Sequence, residues 1–482
     1  MMDIVTVEAQ RRLLLPTELS LEVDNPSFEA TAIPGTWSLP FELPWARENL
    51  LGLQFPHLYR GPGGPPPVAV DVYLDGVRWR RGKLVYLSVD AQAQRLKYNF
   101  VADAADLATL IKDVKLSDLD LGTAALERTG AATAYALLPV RNATFYGDAD
   151  KAPAGYSGYL NYFAGAYPPG AVLAPQPYLV PLVQKVLAHF GYELVGAWAQ
   201  DPEMQTAVLY SDRLCLDPGT VTLNRHVPGI DVADLLLGVA GLFCLQLSFD
   251  PLTKQARFTP LREVVAGAQA GQRVRPGTWQ SSTANTTNGF LLQQEPDGND
   301  ELDKTLDTTW QQLRVGAGGE EQSVKAGTLH QVAVADGTRR WLVPAYEGKG
   351  AVPGNADVGD ESRVGLRLLF NRGFQPDSTG NRYPLGSGGA LNYAGAAVGQ
   401  YALQWAGAQG LYAQWHQPWL TFRARAVQHV YQSELRVGEL LTLDPSQADL
   451  VDYHLCFWEK VSLSVAAGSA LTSATFTYQE LL

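Results

Sequence analysis

The sequence predicts a β-rich α+β fold, on three observations. At both ends of the chain, short runs alternate apolar and polar residues and stop at Gly, Pro or Asp turns, the pattern of half-buried strands. In the middle, apolar residues recur at helical spacing, and a short strand pattern follows each stripe. The 46 Gly and 30 Pro make about 16% of the 482 residues, above an ordinary ~12%, so turns are frequent. At ~100–200 residues per domain, the length predicts about three domains. They fall at 1–135 (a first β domain), 136–265 (an α+β middle region of helix–hairpin units) and 266–482 (a second β domain with loops and a helix near 410–422).

A meander carries the first domain. Val68, Val70, Val72 and Leu74 alternate with Ala69, Asp71 and Tyr73; Asp75-Gly76 follows, then Val77 to Val89. Asp-Gly between alternating runs predicts a two-residue hairpin, because both turn positions need φ > 0. Asp90 to Gln94 makes a second turn, and Leu96, Tyr98 and Phe100 alternate again. Gly61 to Pro67 must be a loop, since Pro removes donors and Gly relaxes the backbone. Asp103 caps a short helix with Leu107, Leu110, Ile111 and Val114 at helical spacing, and Lys115 to Gly122 reads as a turn and strand.

Between Lys151 and Lys185 the chain has no charged side chain, and Tyr156, Tyr159, Tyr162, Phe163 and Tyr167 are mixed with Gly and Pro. This predicts an aromatic loop packed within the chain or on a neighbour. A helix from Pro177 to about Phe190 ends at Gly191, where a left-handed cap is cheapest, and Tyr192 to Trp198 reads as a strand. A similar unit follows. Asp231 caps a helix with Leu235, Leu236, Val239, Leu242 and Phe243 on one stripe, and Leu245 to Phe249 and Gln255 to Pro260 form a hairpin.

Ala266 to Gly271 reads as a linker. Beyond it, strands are expected at Thr328 to Val334, Arg340 to Val343, Val364 to Phe370 and Gln400 to Trp405. A helix is expected at Gly410 to Phe422, kinked or divided at Pro418. Four further strands close the chain, at Arg425 to Tyr431, Leu440 to Asp444, Tyr453 to Val465 and Leu471 to Tyr478.

Hydrophobic residues at 46% and charged residues at 18% exclude a disordered chain. A formal charge of −12 argues against sequence-independent DNA binding, which needs a dominant positive surface. Cys215, Cys244 and Cys456 make neither a disulfide framework nor a CxxC pair. The longest apolar run, Leu235 to Leu245, is far short of the ~20 residues of a membrane helix. With no signal-peptide pattern, the expectation is a soluble chain made in the cytoplasm.

Few residues carry recognisable chemistry. Asp297, Asn299, Glu301 and Asp303 alternate as in a calcium loop, but Leu302 stands where the turn glycine belongs and Thr308 where the closing Glu belongs; the reading is a solvated acidic loop. His454 and Cys456 share a strand face and make only half a zinc site. The seven His are scattered singly, and no nucleophile elbow, phosphate loop or dinucleotide fingerprint is present. Trp405, Trp415 and Trp419 lie in amphipathic patterns that fit a core or interface better than sugar stacking. Arg78, Arg80, Arg81 and Lys83 around Trp79 form a basic cluster, readable as a solvated or inter-subunit face or as a contact for nucleic acid or an acidic partner. No catalytic, cofactor or metal residues are assigned.

Four stretches, in order along the chain, carry a resemblance. Trp37 to Pro44 with Asn49 to Pro56, the hairpin Val72 to Gly82, Leu223 to Leu236 with Leu242-Phe243, and Leu403 to Tyr412 with Trp415 and Trp419 resemble a group of tail proteins from prophages of Bacteroidetes-type bacteria. That group is similar to phage baseplate hub proteins. The resemblance implies two tail-tube-like β-barrel or sandwich domains flanking the α+β middle. It implies a homotrimer whose pseudo-sixfold ring joins a sixfold tail tube to a threefold spike, without enzyme activity or cofactor. The expected partners are a tail tube or distal tail protein, a spike or tip protein and other baseplate proteins, with DNA only as cargo in the lumen. The expected location is the baseplate of the virion tail, assembled in the host cytoplasm. Asp75, Gly76, Arg78 and Trp79 of the hairpin and Tyr156, Tyr159, Tyr162 and Phe163 of the aromatic stretch are the expected inter-subunit contacts. The alternatives are a carbohydrate-active or cell-wall-degrading tail protein, with a carboxylate pair and exposed Trp, and a receptor-binding protein.

Overall fold

A computed structural model describes the chain apart from residues 1, 17, 29–37, 63, 103–106, 108–109, 112, 129–131, 148–150, 218, 251, 269–272, 288, 306–310, 318, 356–357 and 467–470. The fold is β-rich α+β, as the alternation predicts. Near the amino terminus, β1 (Met2–Thr6), β2 (Glu18–Asp24), β3 (Ser38–Pro44), β4 (Val68–Leu74), β5 (Val77–Asp90) and β6 (Arg95–Ala102) follow one another. Five of them form an antiparallel sheet in the order β1-β4-β5-β6-β3. At the β4–β5 turn Asp75 has φ 48° and Gly76 φ 80°, the left-handed pair an Asp-Gly hairpin needs.

β2 leaves this sheet. It pairs antiparallel with the strand His454–Ala466, in a seven-stranded sheet that otherwise runs Arg273–Val274, Asp449–Val451, His454–Ala466, Leu471–Glu480, Val427–Arg436, Thr278–Ala284. Apolar faces of both sheets share one core, in which Ile4, Val72, Trp79 and Tyr98 meet Tyr431, Leu435, Trp458 and Phe476. Burial is what drives this: each sheet has one apolar face, and closing the two against each other removes both from water. The two ends of the chain therefore build one body.

The middle follows its helical stripes. Helix Leu179–His189 ends at Phe190, and Gly191 has φ 77°. Helix Val232–Leu242 starts after Asp231, whose backbone is extended but whose side chain makes no cap bond. The hairpin Leu245–Asp250/Gln255–Pro260 forms as expected, and Glu193–Val195 adds to it in parallel. Val183, Leu187, Leu236, Phe243 and Phe258 share a large core with Trp198 and Trp415. Residues from this region also pair with much later ones: Val140–Arg141 with Arg339–Ala345, and Ala207–Leu209 with Leu366–Pro376.

Several elements differ from the sequence expectation. The Tyr192 to Trp198 strand stops at Val195, because Gly196 (φ 113°) turns the chain into a short helix, Ala197–Gln200. The expected linker Ala266 to Gly271 begins inside helix Leu261–Gly267, with Ala268 buried; its last three residues lie outside the described ones. Lys115 to Gly122 holds a 3-10 turn, Leu116–Asp118, and the strand begins only at Thr123–Ala125. Leu440 to Asp444 lies in the 3-10 segment Val437–Thr442 and its exit. Gln400 to Trp405 is irregular: Glu203 and Arg372 take the backbone groups of Gln400 and Tyr401, and Ala402 to Trp405 bond singly to the backbone of Gly388, Gln409, Leu411 and Tyr412 rather than in a ladder. The helix at 410–422 is divided, a π-turn at Tyr412–His416 followed by α-helix Gln417–Arg425 with Pro418 in its first turn. Most of the helix expected after Asp103 lies outside the described residues; Leu107 and Ile111 are buried.

Candidate functional site

The hairpin tip is the first candidate. Asp75, Gly76 and Arg78 are exposed. Asp75 accepts the Gly438 N–H at 3.1 Å, which ties the tip to the seven-stranded sheet. Trp79 is only 4% exposed and belongs to the shared core, so the tip can offer another subunit its turn and Arg78 but little of the indole. The basic cluster is partly satisfied at home. Arg81 forks onto Asp71 with two bonds of 2.8 Å. Arg80 is largely buried, which lowers its proton affinity, and its facing charge is Asp250 of the middle hairpin.

The aromatic stretch packs mainly within the chain. Tyr156 donates to the Asn142 carbonyl, meets Tyr146 edge-to-face and lies tilted against Phe145. Tyr159 lies against Trp341, and Tyr162 donates to the Asp336 carboxylate. Phe163 is buried against Tyr167 and Phe374. Only the outer parts of the three half-buried Tyr can face a neighbour.

The acidic segment 297–303 is not a solvated loop. Asp297, Asp300 and Asp303 are all buried. Asp303 receives Arg367 at 3.1 Å, His330 at 3.1 Å and Gln311 at 2.8 Å. Burial alone would raise its pKa, but His330 and Arg367 hold it below the usual carboxylate range. Asp297 accepts the N–H groups of Asn299 (3.0 Å) and Gly365 (2.8 Å). Backbone donors and one Arg reach this loop from segments some 60 residues away, so nothing local could reveal its burial. Beside it lies a cleft of about 360 Å³ lined by Asp297, Asn299, Lys325, Ser362 and Arg363. Among the described residues no group of three His, Cys, Asp or Glu could hold a metal ion.

One polar chain was missed altogether in the sequence, where the His look scattered. Trp279 Nε1 donates to Ser282 Oγ at 2.8 Å, and Ser282 Oγ lies 2.9 Å from His429 Nδ1. His429 Nε2 lies 3.0 Å from one Glu480 oxygen, and His454 bonds the other. Burial would raise Glu480, yet the two histidines keep it low. Strand register makes this row, since Ser282 faces His429 and His429 faces Tyr478 across neighbouring strands. Its composition is that of nucleophile, base and carboxylate, with the ring nitrogens in the reverse order to a hydrolase triad. Burial pushes the thiols of Cys244 and Cys456 up to about 12, which leaves them inert. Trp405, Trp415 and Trp419, which a sugar-binding reading would expose, are buried. No helix among the described residues is long and apolar enough to cross a membrane.

No family model matches the chain, and no curated protein matches it significantly. Among solved structures it is similar to the 43 kDa tail protein of prophage MuSo2 from Shewanella oneidensis, at 9% identity and TM-score 0.39, covering 99% of this chain and 97% of that one. A tail protein from Neisseria meningitidis MC58 follows at 7% identity and TM-score 0.37, covering 99% and 96%. The E. coli c3393 protein, a type VI secretion component described as similar to T4 tail proteins gp27 and gp5, has 9% identity and TM-score 0.33, covering 98% and 76%.

Proposed function

We propose that this chain is a structural hub of a phage tail baseplate or related injection device, working by assembly rather than catalysis. The observation that carries the reading is an open sheet edge. Among the described residues Thr278–Ala284 pairs on one side only; it is largely exposed and has no charge or Pro in its seven residues. Free-standing proteins usually blunt such edges with charge, Pro or cover, because an open ladder recruits another strand. A subunit of a closed ring has its edge covered by the next copy. The four stretches that resemble prophage tail proteins support the same reading, as do two largely antiparallel sheets sharing one core. On it, three copies form the pseudo-sixfold ring. The tip Asp75, Gly76 and Arg78 and the outer faces of Tyr156, Tyr159 and Tyr162 contribute contacts, with a tail tube protein above and a spike below. Domain limits at 135 and 265 go with it.

Mass photometry tests the trimer: a particle of three times 52.3 kDa is expected. Replacing Ser281 and Thr283 of the edge with Lys should reduce the particle to monomer without lowering the melting temperature. A wild-type chain that stays monomeric and is absent from purified tails would sink the proposal.

A further inference from the structure

Four segments distant in sequence meet around two carboxylates: the stretch after strand Ala207–Leu209, the loop 295–303, the turn 346–351 and the loop 362–367. Asp212 and Asp300 are 0% and 1% exposed. Asp212 Oδ2 accepts the Arg363 N–H at a long 3.4 Å; the Ser362 hydroxyl lies beside the carboxylate, but among the described residues Oδ1 has no hydrogen bond of good geometry. Asp300 Oδ1 accepts the N–H groups of Glu347 (2.9 Å) and Leu302 (3.1 Å), and its Oδ2 has no hydrogen-bond partner among the described residues. The charges facing them are mostly negative. Asp297 faces both, and Asp303 faces Asp300. Arg367 is bonded to Asp303 rather than to either of them. Arg213, beside Asp212, pairs loosely with Asp360 at 3.7 Å. The Tyr346 hydroxyl, which also has no hydrogen-bond partner among the described residues, is close enough to Asp212, Asp297 and Asp300 to feel all three.

Each buried carboxylate thus has one bare oxygen in a poorly compensated site, and leaving such an atom unpaired is costly. A proton solves this locally: it removes the charge and makes the oxygen a donor toward a neighbouring hydroxyl or carbonyl. Burial accordingly raises both groups to about 6. We propose that Asp212 and Asp300 form a proton-operated latch, which clamps the four segments when protonated and loosens the loops 295–303 and 362–367, opening the cleft between them, when ionised. The clamped form binds the protons more tightly, so opening is favoured as pH rises.

Hydrogen exchange on the full chain at pH 5 and pH 8, corrected for intrinsic rates, tests it. With proton affinities near 6 closed and 3.8 open, local opening should increase about tenfold per carboxylate over that interval. Asp212→Asn and Asp300→Asn should each remove their share, and the double variant should stay protected at pH 8. Equal protection of wild type at both pH values, or an unchanged pH response in the double variant, would overturn the latch. If circular dichroism shows the variants unfolded, carbon-13 NMR titration of the wild-type aspartates decides. Two midpoints near 6 support it, and all midpoints near 4 refute it.

Discussion

Arg372 offers the sharpest test of how the irregular segment 389–401 is held. Its side chain is 2% exposed. It donates to the Gly389 carbonyl through Nε at 3.0 Å and Nη2 at 2.8 Å, to the Tyr401 carbonyl at 2.6 Å, and to Glu203. Glu203 in turn accepts the N–H groups of Gln400 (2.7 Å) and Tyr401 (3.0 Å). Burial lowers the proton affinity of Arg372 while Glu203 holds it up. Arg372→Met keeps most of the stem's volume but leaves the Glu203 carboxylate without its counter-charge and the Gly389 and Tyr401 carbonyls without their donor. Removing one partner of a buried pair costs about 3–5 kcal/mol. Adding Glu203→Gln removes the stranded charge, so the double variant should lose about 2 kcal/mol less than the sum of the two single losses. Urea denaturation at pH 7 measures this, read by tryptophan fluorescence, since Trp415 lies 4.9 Å from the Tyr401 ring. A loss below about 1 kcal/mol for Arg372→Met, or strict additivity in the cycle, would refute the account.

Three further outcomes are expected. Gly319→Ala should destabilise by about 3 kcal/mol or more, because Gly319 has φ 137° and a Cβ would collide with the Gly289 carbonyl; thermal unfolding checks it. Burial holds His226 near 3 and His416 near 4, so their neutral forms contribute stability above about pH 6.5 that is lost as pH falls through those values. His416→Gln should flatten the loss between pH 6.5 and 4 by about 3 kcal/mol, seen in urea midpoints across that range. Ser282→Ala should cost about 1 kcal/mol and leave fluorophosphonate labelling of the protein at background, as in wild type; labelling that depends on Ser282 would make the polar row a catalytic one.

Some of the fold was legible because it is local. The Asp75-Gly76 hairpin, the helix stop at Gly191 and the division at Pro418 each follow from what one or two residues permit at their own φ and ψ. Candidate surfaces were harder to read. Tyr156, Tyr159, Tyr162 and Phe163 show an aromatic loop, but only packing reveals that Phe145, Trp341 and Phe374 receive them. Trp79 looks like an anchor beside arginines, and strict alternation would group it with exposed Val77; a register irregularity, with Val72 opposite Arg80 and Tyr73 opposite Arg78, turns the indole inward with Leu74 and Leu84.

By itself the sequence determined the class of fold, the meander, the helix–hairpin units and the places where chain direction changes, since periodicity and turn chemistry act over a few residues. Tertiary structure alone decided that β2 joins the sheet of residues 273–480, that the 297–303 carboxylates are buried, and that Gln400 to Trp405 is not a strand. It also decided that Ser282, His429, Glu480 and His454 stand in a row. Each of these depends on a partner tens to hundreds of residues away, and burial and register come into being only when the sheets close on one another.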